Sequence, residues 1–512
     1  MKRRYLIIAG IGVVILAVLA KQFGPAAPTD AQSRSETLTV GIYALSPSFG
    51  SPTRALGPPG IFVITSIFDT LTEVAPGGAP IPALALSWED VEPNRWIFRL
   101  RPSVVFSNGE PMDAASVVAS IERLRDPSRP TVLSSLIPNI DKVEAVDALT
   151  VSITTKQPSA SLPSDLSGIW IVPPRAWAET DETAFARAPI GTGPYVVKSW
   201  EKNRIELTWN PTSWRKAAIR NLIFVEVPDE AARISALASG AIDAAIQISP
   251  DAIDTVADTG GRTLILPGGT VYAIALNAER EGSPFTDRRV RQAANYAVNK
   301  EQIAEVLFHG TTVPMGQPAS RITAGYDPEI PVYPHDPERA RGLLREAGFA
   351  DGFDLRMEVI TNAVPADAAM FASVARNLTD VGIRTEVRSS PLPVFFERFF
   401  ANSFEGQAFQ LGFISMPNLD TLKGLKDFTC DKPGSAPFIC LPSIAPLIDE
   451  ARRETDLVSR IEKMREINRV AHDEALALFL IDAVDLMAVS SRVAGEAPAT
   501  RILHWEDFAL KP

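Results

Sequence analysis

The clearest alternation of hydrophobic and polar positions lies at residues 96–124, WIFRLRPSVVFSNGEPMDAASVVASIERL, of this 512-residue chain. Its first part places Trp96, Phe98 and Leu100 on one face of an extended backbone. A two-residue period of this kind predicts a β-strand with one buried side. Pro102 cannot donate a hydrogen bond to a neighbouring strand, so the strand is predicted to end there.

The same stretch continues into a turn and a helix. The pair Asn108-Gly109 tolerates the positive φ angles of a tight turn. Asp113 is a suitable N-cap, because its carboxylate can accept a hydrogen bond from the first helical turn. Apolar residues then recur at helical spacing, at Val117, Val118, Ile121 and Leu124. No catalytic residue type stands at the turn, so we interpret the unit as scaffold.

Elsewhere the pattern predicts a mixture of strands and helices. A first strand is expected at 37–42, a hairpin at 195–209 around Lys202-Asn203, and a strand–helix–strand unit at 221–246. Strands near 354–361 and 382–389 alternate with helices, which is typical of an α/β unit. The apolar residues at 475–491 predict a buried strand near the end of the chain.

Length and charge narrow the class of protein. A chain of 512 residues is too long for a single hydrophobic core, so several domains are expected. The net charge of −11 disfavours a nucleic-acid partner, because phosphate binding requires a basic face.

The N-terminus has the profile of an export signal. Basic residues at positions 2–4 precede an apolar run from Tyr5 to Ala20, and small residues suited to cleavage stand near Ala20 and Ala31. An uncleaved membrane tether is the alternative interpretation. Either interpretation places the rest of the protein outside the cytoplasm, and we expect a periplasmic protein.

The sequence contains two cysteines, Cys430 and Cys440, at the ends of CDKPGSAPFIC. Their even number, close spacing and exported context favour a disulfide, with two separate buried thiols as the alternative. A zinc site is not expected, because no histidines cluster near them.

The search for catalytic motifs is mostly negative. The chain has no G-x-S-x-G, P-loop, H-E-x-x-H or calcium-loop pattern. S-x-x-K occurs at Ser199/Lys202 and Ser213/Lys216 but without the K-T-G and S-D-N motifs of penicillin-binding enzymes. We therefore expect no enzyme activity, no catalytic residue, no metal site and no cofactor.

Four stretches carry a resemblance to a known family. They are PALALSWEDVEPNRWIFRLRPSVVFSNGEPMDAASVVASIERL, APIGTGPYVVKSWEKNRIELTWNPTSW, LNAEREGSPFTDRRVRQAANYAVNKEQIAEVLFHG and HDPERARGLLREAGFADGF. In this order they resemble the extracytoplasmic solute-binding proteins of ABC importers, in the oligopeptide, dipeptide and nickel group. The similarity covers about 80–355 and weakens toward the C-terminus.

The resemblance implies an α/β, two-lobed periplasmic-binding-protein fold, type II-like, with an additional inserted small domain. Residues 36–59, 187–266 and 478–512 would form a discontinuous lobe I after a signal or tether and spacer at 1–35. Residues 60–186 would form the inserted domain and residues 267–477 lobe II. Gly268-Gly269 would be the hinge, because glycine accommodates large changes in φ and ψ.

The resemblance also suggests where a solute binds. Peptide-binding members carry an aspartate for the peptide α-amine in a stretch that corresponds here to QLGFISMPNLDTL, with Met416 near the usual aspartate position and Phe413 near the usual tryptophan. Asn418 and Asp420 are the nearest polar candidates. Tyr43, Phe49 and Tyr272 are further candidates by position, with packing as the alternative role.

The expected function is therefore that of a receptor. It would capture a peptide-like or other small organic solute between its lobes and deliver it to the permease and ATPase subunits of an ABC importer, acting as a monomer. The alternative is a membrane-tethered sensor or interaction protein that keeps the fold without transport.

Overall fold

A computed structural model describes residues 35–54, 57–129, 131–137, 139–360, 366–425 and 438–511. The export segment at 1–34 and Cys430 lie outside these residues, so the predictions made for them stay predictions. In chain order the strands are β1 Thr37–Ile42, β2 Thr72–Val74, β3 Pro80–Pro82, β4 Ala85–Glu92, β5 Arg95–Leu100, β6 Ile140–Asp147, β7 Thr150–Thr155, β8 Tyr195–Trp200, β9 Arg204–Trp209, β10 Asn221–Glu226, β11 Ala244–Ile246, β12 Arg262–Leu276, β13 Phe353–Ile360, β14 Ile383–Ser390, β15 Ala408–Ile414, β16 Leu478–Val489, β17 Val493–Ala494 and β18 Ala509–Leu510.

The helices are distributed between these strands. The α-helices are α1 Ile61–Ile64, α2 Ala114–Arg125, α3 Leu162–Asp165, α4 Pro174–Glu179, α5 Glu182–Arg187, α6 Glu230–Ala238, α7 Ile253–Asp258, α8 Arg288–Ala297, α9 Lys300–Gln302, α10 Pro337–Glu346, α11 Asp367–Asp380, α12 Leu392–Ala401, α13 Thr421–Gly424, α14 Ala445–Arg453 and α15 Leu457–Asp473. Short 3₁₀ turns occupy Val132–Leu136, Leu166–Gly168, Pro250–Ala252, Pro284–Thr286 and Trp505–Asp507, and Ile303–Leu307 forms a π-helical turn.

One ten-stranded sheet runs through both lobes in the order β14-β13-β15-β12-β16-β11-β1-β10-β9-β8. Its two long central strands, β12 and β16, are antiparallel and carry the chain across from one lobe to the other. Lobe I contains β11, β1, β10, β9 and β8 on one side of this pair, and lobe II contains β15, β13 and β14 on the other. The apolar run near the C-terminus is thus a buried strand, as the sequence predicts.

A separate four-stranded antiparallel sheet, β4-β5-β7-β6, is inserted between β3 and β8. Here β5 and α2 confirm the predicted strand and helix, and Asp113 accepts a hydrogen bond from the backbone N–H of Ser116 at 3.1 Å. Side chains of this insertion, such as Phe98 and Val117, share one continuous hydrophobic core with Leu38 and Leu222 of lobe I. The insertion therefore packs as part of lobe I.

Lobe II is an α/β unit. β13 is parallel to both β14 and β15, with α11 and α12 in the connections between them. β15 leads at its carboxyl end into the loop at 415–420, and the carboxyl ends of strands are where ligands bind in open α/β sheets. Two hydrophobic clusters, one on each face of the sheet, stabilise this lobe.

Within the described ranges, no helix has the length and apolar character needed to cross a bilayer. In the same part of the chain, no three acidic, histidine or cysteine side chains are grouped so that they could hold a metal ion.

Candidate functional site

A cavity of about 70 Å³ lies between the lobes. Its lobe I wall comes from the region around α1 and β2, from the turn after α3, from Arg215 and from the segment before β18. Its lobe II wall comes from the loop after β15. The lining side chains are Thr65, Phe68, Asp69, Thr70, Glu73, Val74, Ser167, Trp170, Arg215, Met416, Pro417, Leu419, Thr500, Ile502 and His504.

The loop after β15 contributes an apolar wall made of Met416, Pro417 and Leu419. The loop is fixed at its start, where the backbone N–H of Ser415 donates to the carbonyl of Gly269 at 3.0 Å. It is fixed again at Leu419, whose carbonyl accepts from the N–H of Ala324 at 2.8 Å. The predicted site residue Met416 therefore lines the cavity between the lobes, and its role in solute binding stays a prediction.

Asp420 lies in the same loop but has a different environment. Its carboxylate caps α13 by accepting from the N–H of Leu422 at 2.8 Å, and it pairs with Arg460 at 2.6 Å. The two side chains of this ion pair are only 5% and 6% exposed. Asp420 does not line the cavity, and its charge is compensated within lobe II.

Asn418 points across the cleft to lobe I. Its Nδ2 donates to Oδ1 of Asp165 at 2.6 Å, and the ammonium of Lys423 lies 3.2 Å from the same oxygen. The predicted site residue Asn418 thus contacts the opposite lobe, where it helps to hold the cleft together.

Phe413 and Phe49 lie away from the cavity. Phe413 is fully buried in lobe II, where its ring packs 5.7 Å from that of Phe479. Phe49 lines a separate surface depression, with its ring against Trp200 and under the guanidinium of Arg187 at 4.4 Å. In this structure, both residues pack against other side chains and neither lines the cavity between the lobes.

Tyr272 lines a second, smaller cavity next to the crossing strands, and Tyr43 lies close enough to Asp485 in that lining to feel its charge. Tyr272 lines this cavity together with Asp485, and Asp485 pairs with Arg501 at 2.5 Å. Burial, with Asp485 adding to it, raises the pKa of Tyr43, and burial raises the pKa of Tyr272 to about 12. Both phenols are therefore neutral hydrogen-bonding groups at physiological pH.

Five charged residues form a partly buried group in lobe I, and four of them line the cavity. Arg215 lies 2.8 Å from Asp69 and also pairs with Glu506. The imidazole of His504 has Glu73 at 3.3 Å from Nε2, and its Nδ1 has Arg215 Nη1 at 2.9 Å and Glu506 at 3.4 Å. No local pattern in the sequence indicates this group, because its members are separated by up to several hundred residues.

The charge of His504 is set by this environment. Burial acts to lower its pKa, but hydrogen bonds to Glu506 and Glu73 outweigh burial and the opposing Arg215, and they raise the pKa to about 10. The carboxylates respond in the opposite direction, since the pKa of Glu506 and that of Glu73 are both lowered by His504 against the effect of burial. At neutral pH, each charge of this group thus has a neighbour of opposite sign, with three carboxylates sharing the two cations Arg215 and His504.

Gly268 and Gly269 lie where the pairing of β12 with β16 shifts register, between the pairs Pro267–Val484 and Val271–Asp482. A Cβ at Gly268 would lie 2.7 Å from the carbonyl oxygen of Ala483, and one at Gly269 would lie 2.7 Å from Cδ2 of Leu419. Both glycines therefore allow close packing at the junction of the lobes. Their role as a hinge stays a prediction.

Known proteins share both the sequence and the fold. Residues 79–422 match the family of bacterial extracellular solute-binding proteins, family 5, middle region. Di/tripeptide-binding protein 2 of Pseudomonas aeruginosa is 25% identical over 505 residues, which cover 92% of this chain and 94% of that protein. Heme-binding protein A of Haemophilus influenzae is 29% identical over 394 residues, which cover 70% and 71% of the two chains.

Solved structures match the fold across nearly the whole chain. The ABC transporter substrate-binding protein CtaP of Listeria monocytogenes superposes with a TM-score of 0.82 at 18% identity, covering 93% of this chain and 99% of that one. HbpA2 of Haemophilus parasuis gives a TM-score of 0.80 at 22% identity, covering 93% and 100%. These structures confirm the two-lobed α/β fold.

The family match covers well over half of the chain and includes the insertion, the crossing strand β12 and the cleft loop after β15. The chain therefore belongs to the family 5 bacterial extracellular solute-binding proteins, which are receptors that bind a solute outside the cytoplasm for import by an ABC transporter.

Proposed function

We propose that the solute of this receptor lacks a free α-amine, or is larger and more apolar than a di- or tripeptide. The receptor would bind it without catalysis, as a monomer in the periplasm, after export by the N-terminal segment. The observation that carries the proposal is the pairing of Asp420 with Arg460. That pairing leaves the loop after β15 without a carboxylate that a peptide amine could engage.

The other carboxylates around the cavity support the same conclusion. Among the described residues that line it, the carboxylates are Asp69 and Glu73, and each is already paired, with Arg215 and His504 respectively. Burying an ammonium group without a counter-charge is costly, and an amine at Glu73 would compete with His504 for that carboxylate. A primary amine would therefore gain little from entering this cleft.

The shape and polarity of the lobe II wall also favour an apolar solute. Met416, Pro417 and Leu419 present carbon and sulfur atoms to the cavity, and Phe68, Trp170 and Ile502 face them from lobe I. A flexible thioether such as that of Met416 adapts to irregular apolar surfaces. Heme-binding protein A, a relative at 29% identity, is named for heme, a large ligand with much apolar surface.

Native mass spectrometry of the protein purified without unfolding tests the proposal. We expect a co-purified solute whose mass and fragmentation exclude a free di- or tripeptide. Retention of short peptides with free amines would contradict the proposal. The mass of the same protein after denaturation shows whether the export segment has been removed, and the native mass shows whether the receptor is a monomer.

A further inference from the structure

The lobes touch through a polar contact at the rim of the cavity. On the lobe I side, α3 ends at Asp165, whose side chain is 12% exposed. Its Oδ1 accepts from Asn418 at 2.6 Å and lies 3.2 Å from Lys423, and its Oδ2 accepts from Ser161 at 2.9 Å. Burial raises the pKa of Asp165, the ammonium of Lys423 acts against this rise, and the charge of Asp420 adds to it.

A backbone contact lies beside it. The N–H of Gly77, in the turn between β2 and β3, donates to the carbonyl of Ile322 in lobe II at 2.8 Å. At the next residue, a Cβ on Gly78 would lie 2.7 Å from the carbonyl oxygen of Leu419. The two lobes are therefore in van der Waals contact here, and the hydrogen bond of the Gly77 amide is broken when they separate.

The lobe II half of the contact is held rigidly. The buried pair of Asp420 and Arg460 fixes the start of α13, and Lys423 is the third residue of that four-residue helix. Asn418 precedes the cap by two residues and is 1% exposed. Asp165 thus meets two donors whose positions are set by lobe II itself, and no solute contact is needed to place them.

The size of the cavity makes this contact relevant to binding. A volume of about 70 Å³ holds roughly five water molecules, which is too small for an organic solute of the kind proposed above. The solute must therefore enter while the lobes are apart. Any contact that exists only in the closed form then changes the apparent affinity by changing the closed population.

We propose that Asp165 is a positioning residue that acts as a latch: with Asn418 and Lys423 it closes the lobes on each other even when no solute is bound. The latch rests on the receptor function proposed above, since it has a purpose only in a protein that opens and closes. The latch would raise the apparent affinity for every solute by the same factor, because it changes only the closed population. The side chains of the cavity walls would determine the specificity.

Hydrogen–deuterium exchange on the solute-free protein, refolded after removal of bound solute, tests the latch without knowledge of the solute. The segments to follow are 76–79 and 415–422, with β10 as an internal reference for global stability. Wild-type protein should protect the Gly77 amide. Asp165→Ala should speed exchange of both segments about tenfold, because a hydrogen bond to a charged group is lost on each donor. Lys423→Met should speed it less, about threefold, since its side chain is 28% exposed.

The double variant Asp165→Ala/Lys423→Met shows whether the two single substitutions act through one shared contact or independently. Once Asp165 is gone, Lys423 has lost its partner across the cleft, so the double variant should exchange no faster than Asp165→Ala alone. Asp141→Ala, at an exposed carboxylate on β6, is the matched control and should leave both segments unchanged. An unprotected Gly77 amide in wild-type protein, rates unaffected by Asp165→Ala, or faster exchange in β10 to the same extent would each overturn the latch. The result says nothing for or against the solute class, which the co-purified solute tests separately.

Discussion

Arg460 donates a 2.6 Å hydrogen bond from Nη2 to Oδ2 of Asp420, and the pair is buried inside lobe II. The other carboxylate oxygen of Asp420 caps α13, so the residue holds together the loop that forms one wall of the cleft. A residue that the sequence marks as a candidate for solute binding thus has a structural role next to the cavity. This relationship is the basis of the proposed solute class.

Asp420→Asn should lower stability. Removing one partner leaves the Arg460 guanidinium buried and unpaired, which typically costs about 3–5 kcal/mol. Urea unfolding gives the change in the free energy of unfolding. The double variant Asp420→Leu/Arg460→Met is the control, because replacing both charges removes the unpaired cation and should recover part of the loss. A single variant as stable as wild-type protein would show that the pair is not formed.

Gly269→Ala should destabilise the junction between the lobes. Gly269 has a φ of +59°, at which an alanine lowers the free energy of unfolding by about 1–2 kcal/mol. A Cβ there would also lie 2.7 Å from Leu419, which adds a steric clash. Gly282 provides the control, since it has a φ of +72° but open space where the methyl group of an alanine would lie. Thermal unfolding should therefore show a larger loss for Gly269→Ala than for Gly282→Ala. Equal losses would mean that the contact with Leu419 is relieved without cost.

The pH dependence of stability should depend on His504. Its pKa is raised from 6.5 to about 10 in the folded protein, so its stabilising contribution is complete below about pH 6.5 and is lost as the pH rises toward 10. The groups that face it are Glu73, Glu506 and Arg215. Urea unfolding across this range gives the free energy of unfolding of wild-type protein and of His504→Gln. The difference between these two free energies should shrink with increasing pH. A difference that stays constant would contradict the assigned charge of His504.

Cys430 and Cys440 should form a disulfide in the exported protein. The expectation follows from their number, spacing and compartment, and closing so short a loop should contribute about 2–3 kcal/mol. Protein isolated from the periplasm and unfolded without reductant should then show no titratable thiol, and two after reduction. Two thiols before reduction would establish the alternative of separate buried cysteines.

Local patterns in the sequence predict much of the fold. The strand and capped helix around Asp113, the hairpin around Lys202-Asn203 and the buried strand β16 are all found where their periodicity places them. These elements are specified by neighbouring residues through alternation, caps and turns, which is the information that a single sequence displays directly. The family resemblance supplied the arrangement in two lobes.

The candidate site was predictable only in part. Met416 lies at the cavity as its place in the family pattern suggests, whereas the environment of Asp420 depends on Arg460, forty residues further along the chain. His504 and Glu73 meet through a separation of more than four hundred residues. Such pairs are set by tertiary packing, and neither residue carries a local signal of its partner.

The most direct test of the central claim is a calorimetric titration of solute-free receptor with matched peptides. Di- and tripeptides with free amines are compared with the same peptides after N-acetylation, which removes the positive charge and adds a small acetyl group. We predict that the free peptides bind no more tightly than their acetylated counterparts, because the carboxylates that line the described cavity are already paired. Tight binding of a free peptide that weakens about thirtyfold or more on acetylation, as expected for a lost buried charge pair, would contradict the proposed solute class.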